Sequence, residues 1–425
     1  MNMLRKLLDI FTIKDLRNRI FFVLALLVVS RLAATIPVPG IDVSKLKDFF
    51  EGSQFFGLLN IFSGGALSNL SIVMLGVGPY ITALIVMQLL TMIFPSIKEL
   101  YQNSGEQGRQ KFNQYTRLLT VPFAALQGYG LLALLQNQNV IPHLEKFALS
   151  TNIIVIIAGT VFLTWLGELI TEKKIGNGVS LLIFAGIIAA LPTQIKQLYL
   201  NFDPSMIPMI IVFLVVLVIV IAGVVFISES QRNVPISYAK RIRGSRVYGG
   251  TSTYLPLKVN QAGVIPIIFA ISILLFPQML ANFMQLSSSQ WVQGVARWMN
   301  EFLQQGFIYG AMYFFLVVVF TYFYTAVTFD TKQIADNVQK QGGFVPGIRP
   351  GSPTVDFLNR VMNRITLAGA LSLGLIAVLP YIVQYFTGTA TLTIGGTALL
   401  IVVSVVLDTM KQIKSQMLMH EYEKF

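Results

Sequence analysis

Ten apolar runs, at about 21–37, 72–94, 118–136, 152–170, 179–192, 207–227, 262–285, 306–327, 365–386 and 391–409, constrain this chain more than any motif in it. Backbone placed in hydrocarbon must find its hydrogen bonds within the protein, so runs near the roughly 20 residues that cross a bilayer fold as helices. Composition agrees: 54% of the 425 residues are hydrophobic and 12% charged, with a mean hydropathy of +0.68, outside the range of soluble domains. The sequence therefore predicts an all-α polytopic membrane protein with ten transmembrane helices.

Charge sets the orientation. With the N-terminus inside, 25 Lys and Arg fall in inner segments and 5 in outer loops, while Arg31 lies within the first span. Cytoplasmic loops carry such an excess, so both termini are expected in the cytoplasm. The opening stretch MNMLRKLLDIFTIKDLRNRI is basic and amphipathic, has no small-residue cleavage site, and is expected to be retained on the membrane surface. The spans divide five and five about an external connection at 193–205, giving an N-terminal half (1–192), a C-terminal half (206–410) and a cytoplasmic tail (411–425). An odd number of crossings reverses the second half, the topology of an inverted repeat around a central pathway. The halves share no visible repeat of residues.

Two inner loops, 228–260 and 329–361, are each some 33 residues long, where ordinary connections run to about 4–6. The first alternates polar with β-branched and aromatic residues in YGGTSTYLPLKV, which predicts a hairpin projecting into the cytoplasm. In the second, GGFVPGIRPG holds Arg349 between the turn-formers Pro346, Gly347, Pro350 and Gly351, a stiff tip carrying one guanidinium. These basic loops are either topogenic or a docking surface for acidic proteins or RNA phosphates.

Several chemistries are excluded. Without Cys there are no disulfides, and two His, His143 and His420, are too few for a metal cluster. The spans hold no Ser/His pair or acid pair, and the chain has no phosphate-binding P-loop. Neither an enzyme, a cofactor nor a metal is expected. An ion-coupled transporter, the alternative reading, would bury Asp, Glu or His near the midplane; Glu168 and Asp408 instead fall near inner span ends, where they are expected to meet water. Arg31, an intramembrane charge, is expected to bond backbone carbonyls or the segment after the first span.

The blocks PVPGID, NIFSGGALS, GVGPYI, GRQKFNQYTR, WLGELITEKKIGNGVSLLIFAGI, YAKRIRGSRVYGG, LPLKVNQAGVIPIIFA, FVPGIRPG and GGTALLIVV, in this order and spacing, resemble the SecY family, the central subunits of the bacterial Sec protein-conducting channel. The resemblance covers nearly the whole chain. It implies two inverted five-helix halves closing like a clamshell around an hourglass pore, which opens sideways to lipid between spans two and seven and spans three and eight. It implies a plug helix from Phe55 to about Leu70, in the outer funnel of the idle pore. There Phe55, Phe56, Leu58, Leu59 and Phe62, with Asn60 and Ile61 between them, would rest on apolar walls, while Ser63, Gly64, Gly65, Ser68 and Asn69 would form a hinge that water reaches.

The same resemblance places the narrowest collar on Val77, Ile81, Val179, Ile183, Ile268 and Ile401, two of them Val where the family more often has Ile. Thr82, Gln88 and Asn260 would line the side gate; read without the resemblance, these residues with Gln127 and Gln261 are interhelical hydrogen-bonding groups. Lys240, Arg241, Arg243, Arg246 and Arg349 would dock the SecA motor ATPase or a ribosome. Other implied partners are the small membrane subunits SecE and SecG, secretory preproteins with their signal sequences, and membrane lipid. The implied location is the bacterial cytoplasmic membrane, and the implied function is passage of unfolded polypeptides with sideways release of transmembrane segments.

Overall fold

The structure is a computed structural model that describes residues 13–39, 59–60, 63–102, 105–138, 140–200, 202–204, 207–238, 241–243, 246–248, 252–285, 287, 289–387 and 390–422. Its helices, in chain order, are α1 (Lys14–Ala33), α2 (Gly78–Ile93), α3 (Pro95–Gln102), α4 (Gly105–Asn137), α5 (Lys146–Glu172), α6 (Gly178–Leu200), α7 (Ile207–Glu229), α8 (Ile265–Met284), α9 (Gln290–Gln304), α10 (Gly306–Thr328), α11 (Thr331–Lys340), α12 (Ser352–Thr387) and α13 (Ala390–Tyr422). A helix occupies each of the ten apolar runs, and α3, α9 and α11 are additions between them. The chain is therefore a multi-pass, all-α membrane protein. α7 has few buried residues, Val220, Val224 and Ile227. A helix apolar all round and exposed on most of its faces is at home in lipid.

Several helices run past or stop short of the expected boundaries, and two of these differences bear on the site and on the division of the chain. The second span begins as helix at Gly78 rather than near 72, and residues 63–77 form successive turns. Gly76 takes φ +57, and Pro79 enters within the first two helical positions, where no amide donor is required, so GVGP sets the start. The fifth span runs through Pro192 to Leu200, so most of the expected external connection at 193–205 is helical. Proline forfeits one helical hydrogen bond, but Gln194, Ile195, Lys196, Gln197 and Leu198 all tolerate helix well.

Outside the bundle, the two long loops build one module. β1 (Gln231–Tyr238) pairs antiparallel with β4 (Ser252–Lys258), Val234 opposite Leu255. Its other edge takes β5 (Gly343–Phe344) from the second loop, Ser237 opposite Phe344. β2 (Arg241–Arg243) and β3 (Arg246–Tyr248) form a separate hairpin at the far end. A small core of Val234, Leu257, Ala335, Val345, Leu358, Val361, Met362 and Ile365 fills the space under the sheet. The hairpin was legible in the sequence; its union with the second loop was not, because β5 is two residues long and carries no period.

Candidate functional site

The six residues expected at the collar come from four helices. Val77 is the N-cap of α2 and Ile81 lies one turn on; Val179 and Ile183 lie at the start of α6, Ile268 near the start of α8, and Ile401 within α13. Val77, Ile81, Ile183, Ile268 and Ile401 are each at most 4% exposed and belong to one buried apolar cluster, against which the partly buried Val179 packs. Each pair at i,i+4 shares a helix face, which is why α2 and α6 each contribute two neighbouring side chains. A contact made of aliphatic groups alone excludes water and ions while bonding to nothing specific.

The turns at 63–77 pack on this cluster through Ala66, Val73 and Val77, and on a second one through Leu67, Leu70 and Met74. Irregular backbone at this depth is tolerated because protein surrounds it. Its polar groups are answered locally: Leu67 N donates to Ser63 Oγ at 3.1 Å and Ser68 N to Asn60 Oδ1 at 3.1 Å. Arg31 Nη1 donates to the carbonyl of Gly64, the kind of backbone bond expected of it, while its Nε is buried without a partner. Of the expected plug residues, Leu59, Asn60, Ser63, Gly64 and Gly65 are described; Phe55, Phe56, Leu58, Ile61 and Phe62 lie outside the described residues. Of the hinge residues expected to meet water, Ser63 and Gly64 are buried, Gly64 against Arg31 and Gly186 of α6, while Gly65 and Ser68 are half-buried and Asn69 is exposed.

Gly186 of α6, which sequence reasoning missed, belongs here as well. A methyl group there would fall 2.3 Å from Gly64 Cα, and Gly64 itself sits at φ +67. The only signal was a small residue amid large ones in LLIFAGII. Gly186→Val is expected to push the turn segment off α6 at a cost of about 1–3 kcal/mol, and so to raise the open population roughly 5- to 150-fold. Ion conductance of the idle protein in planar bilayers reads this, and an unchanged conductance would show that the contact seals nothing.

The expected gate residues do not meet one another. Thr82 on α2 accepts from Gln127 Nε2 on α4 at 3.4 Å. Gln88 is buried with its Oε1 unpartnered. Asn260 turns both amide groups onto Gly263: Nδ2 donates to Gly263 O at 3.2 Å, and Gly263 N donates to Oδ1 at 2.9 Å. α8 closes against α2 and α4, and Ile267, Ile268, Ile271 and Leu274 of α8 share one buried apolar cluster with Ile81 and Ile85 of α2. Glu168 departs from expectation as well. It pairs with Arg117 Nε at 2.6 Å, its side chain 17% exposed, tying α5 to α4.

Among the expected docking residues, Arg349 is exposed at the tip of the second loop. Gly347 and Gly351 on either side take φ +80 and +100, a left-handed region other residues avoid. Thr354 Oγ1 donates to Arg349 O at 2.9 Å, and Ile348 N to Val345 O at 3.0 Å, so the tip is pinned to the module's core through Val345. Arg241, Arg243 and Arg246 lie on the β2–β3 hairpin, with Arg243 and Arg246 in register; Lys240 lies outside the described residues.

Comparison with known proteins agrees with this arrangement. The family described as SecY matches residues 71–410. The protein translocase subunit SecY of Corynebacterium glutamicum is 43% identical over 439 residues, covering 98% of each chain. A solved SecY structure, described for a plug domain that stabilises the closed state, aligns with TM-score 0.63 and 20% identity over 92% of this chain and 90% of that one. Sec61 in the canine ribosome–channel complex aligns with TM-score 0.60 and 18% identity over the same shares. These two likenesses speak for the fold.

Proposed function

The chain belongs to the SecY family, and from that membership we propose how it acts as a protein-conducting channel: a dry aliphatic collar and a turn-rich plug seal the idle pore between two halves. It passes unfolded polypeptides across the membrane and releases apolar segments sideways into lipid. The observation that carries the reading is the convergence of collar residues from α2, α6, α8 and α13 on one buried cluster, to which the turns at 63–77 add Ala66 and Val73. An aliphatic collar admits a chain of any sequence, because it offers no partner that a passing side chain must break. The alternative of an ion-coupled transporter is not favoured, since relatives matched over nearly their full length are translocase subunits.

In this reading the membrane is the bacterial cytoplasmic one, with both termini and the β module inside. The module and the Arg349 tip dock the SecA motor or a ribosome, and small subunits of the SecE and SecG kind brace the halves. Energy comes from the docked partner. Reconstitution with these subunits and a motor ATPase tests the function: a secretory precursor is expected to become protease-protected, and a precursor that stays accessible overturns it. Sidedness is tested with Gln339→Cys, an exposed position on α11. An impermeant thiol reagent is expected to label it from the cytoplasmic side alone; labelling in intact cells would overturn the topology.

A further inference from the structure

α9 lies between α8 and α10, outside the collar, the plug and the docking module, and its surface divides into three faces. Ala296 and Leu303 are buried at 0% and 4%, and α9 packs on α8. Arg297 and Glu301 are exposed on a second, polar face. On the third stand Trp291, Trp298 and Phe302, spaced i, i+7 and i+11 so that they share one side of the helix. Trp291 is 76% and Trp298 62% exposed, and the Trp298 ring stacks on Phe302 at 5.5 Å. Water is a poor environment for two open indoles backed by a phenyl ring. Large apolar side chains of the neighbouring spans are exposed too: Phe276 and Leu280 of α8 and Phe307 at the start of α10. On helices that cross a membrane such side chains face lipid, so the aromatic face of α9 stands beside surfaces suited to lipid.

We propose that α9 is an interfacial anchor: Trp291, Trp298 and Phe302 dip into the outer leaflet at headgroup level and hold the outer end of the gate helix α8 at the water–lipid boundary. The chemistry suits that depth, because indole pairs an apolar body with one N–H donor and favours the interface, and a helix with a polar and an aromatic face lies in its plane. The occupant is lipid rather than protein because α9 is joined at both ends to membrane-crossing helices, α8 and α10, whose outer ends also expose Phe276, Leu280 and Phe307. The outer placement rests on the topology proposed above.

The chain has three Trp, so Trp165→Phe leaves Trp291 and Trp298 as its emitters. Reconstituted with its small subunits in nanodiscs, this variant is compared with one that also carries Trp291→Phe and Trp298→Phe, and the difference isolates the two α9 indoles. Lipids brominated near the headgroup are expected to remove most of that emission, lipids brominated near the chain ends less, and aqueous acrylamide little. Emission indifferent to both bromine positions would overturn the anchor, whether water or another protein then covers the face. Sidedness is read separately with Glu301→Cys and an impermeant thiol reagent. Quenched indoles with labelling from inside would overturn the outer placement and the topology together; unquenched indoles with labelling from outside would overturn the anchor alone.

Discussion

Arg349→Glu is expected to leave the protein inserted and assembled while abolishing nearly all partner-driven translocation. The guanidinium sits on a tip fixed by two left-handed glycines and by the Thr354 bond, so it has little freedom to swing clear of a partner. Loss of one member of an interfacial charge pair costs about 2–5 kcal/mol, and reversal adds repulsion. Docking should then weaken by roughly 30-fold or more. Precursor protection in vesicles, measured beside motor binding, gives the answer; Arg349→Lys should retain part of both, since it keeps the charge and loses the planar fork. Normal translocation by Arg349→Glu would reduce the loop to a topogenic role.

Much of this was legible without coordinates. Apolar run length and the distribution of Lys and Arg gave helices and their order, because lipid leaves the backbone few alternatives. The stiff Arg349 tip was readable from Pro346, Gly347, Pro350 and Gly351, whose conformational preferences are local. What escaped was whatever depends on two distant segments meeting. Gly186 has a role through Gly64, far off in sequence, and β5 joins β1 across more than a hundred residues. A side chain's partner escaped as well: the resemblance set Asn260 along the side gate, and its short amide bonds the Gly263 turn, as Asn does wherever a loop offers it backbone groups.

Replacing Ile81, Ile183 and Ile268 together by Ser is expected to give the largest leak of any change considered. These positions are buried in one apolar cluster, and three hydroxyls there would supply water with partners and support ion passage. The closed form also loses three large apolar contacts, each worth about 2–5 kcal/mol when cut back toward Ala, while the open form loses less. The equilibrium therefore shifts toward opening, and a ligand preferring the open form binds with less opposition. Signal sequences, which the resemblance implies as partners, would play that part, so precursors with defective signals should be exported better than by the parent. Planar-bilayer conductance and export of such a precursor are the two readouts. A triple variant that stays silent and strictly signal-dependent would remove these residues from the pore.

The β module has a mechanical consequence. β1 follows α7, β4 leads by a short turn into α8, and β5 is followed by the turn that opens α12, so every strand is rooted in the second half of the chain. Its junction with the bundle is tight: a methyl group on Gly369 of α12 would fall 2.5 Å from the Val259 carbonyl, just past β4. A rigid plate bolted to one jaw of a clamp works as a handle. In the proposed function, a load borne at the Arg349 tip becomes torque on the second half as a unit, and α8, which packs against α2 and α4, is a helix through which that torque reaches the first half. Where Ile81 and Ile85 of α2 share a buried apolar cluster with Ile267, Ile268, Ile271 and Leu274 of α8, that torque meets apolar packing, which has no preferred direction and lets the surfaces slide.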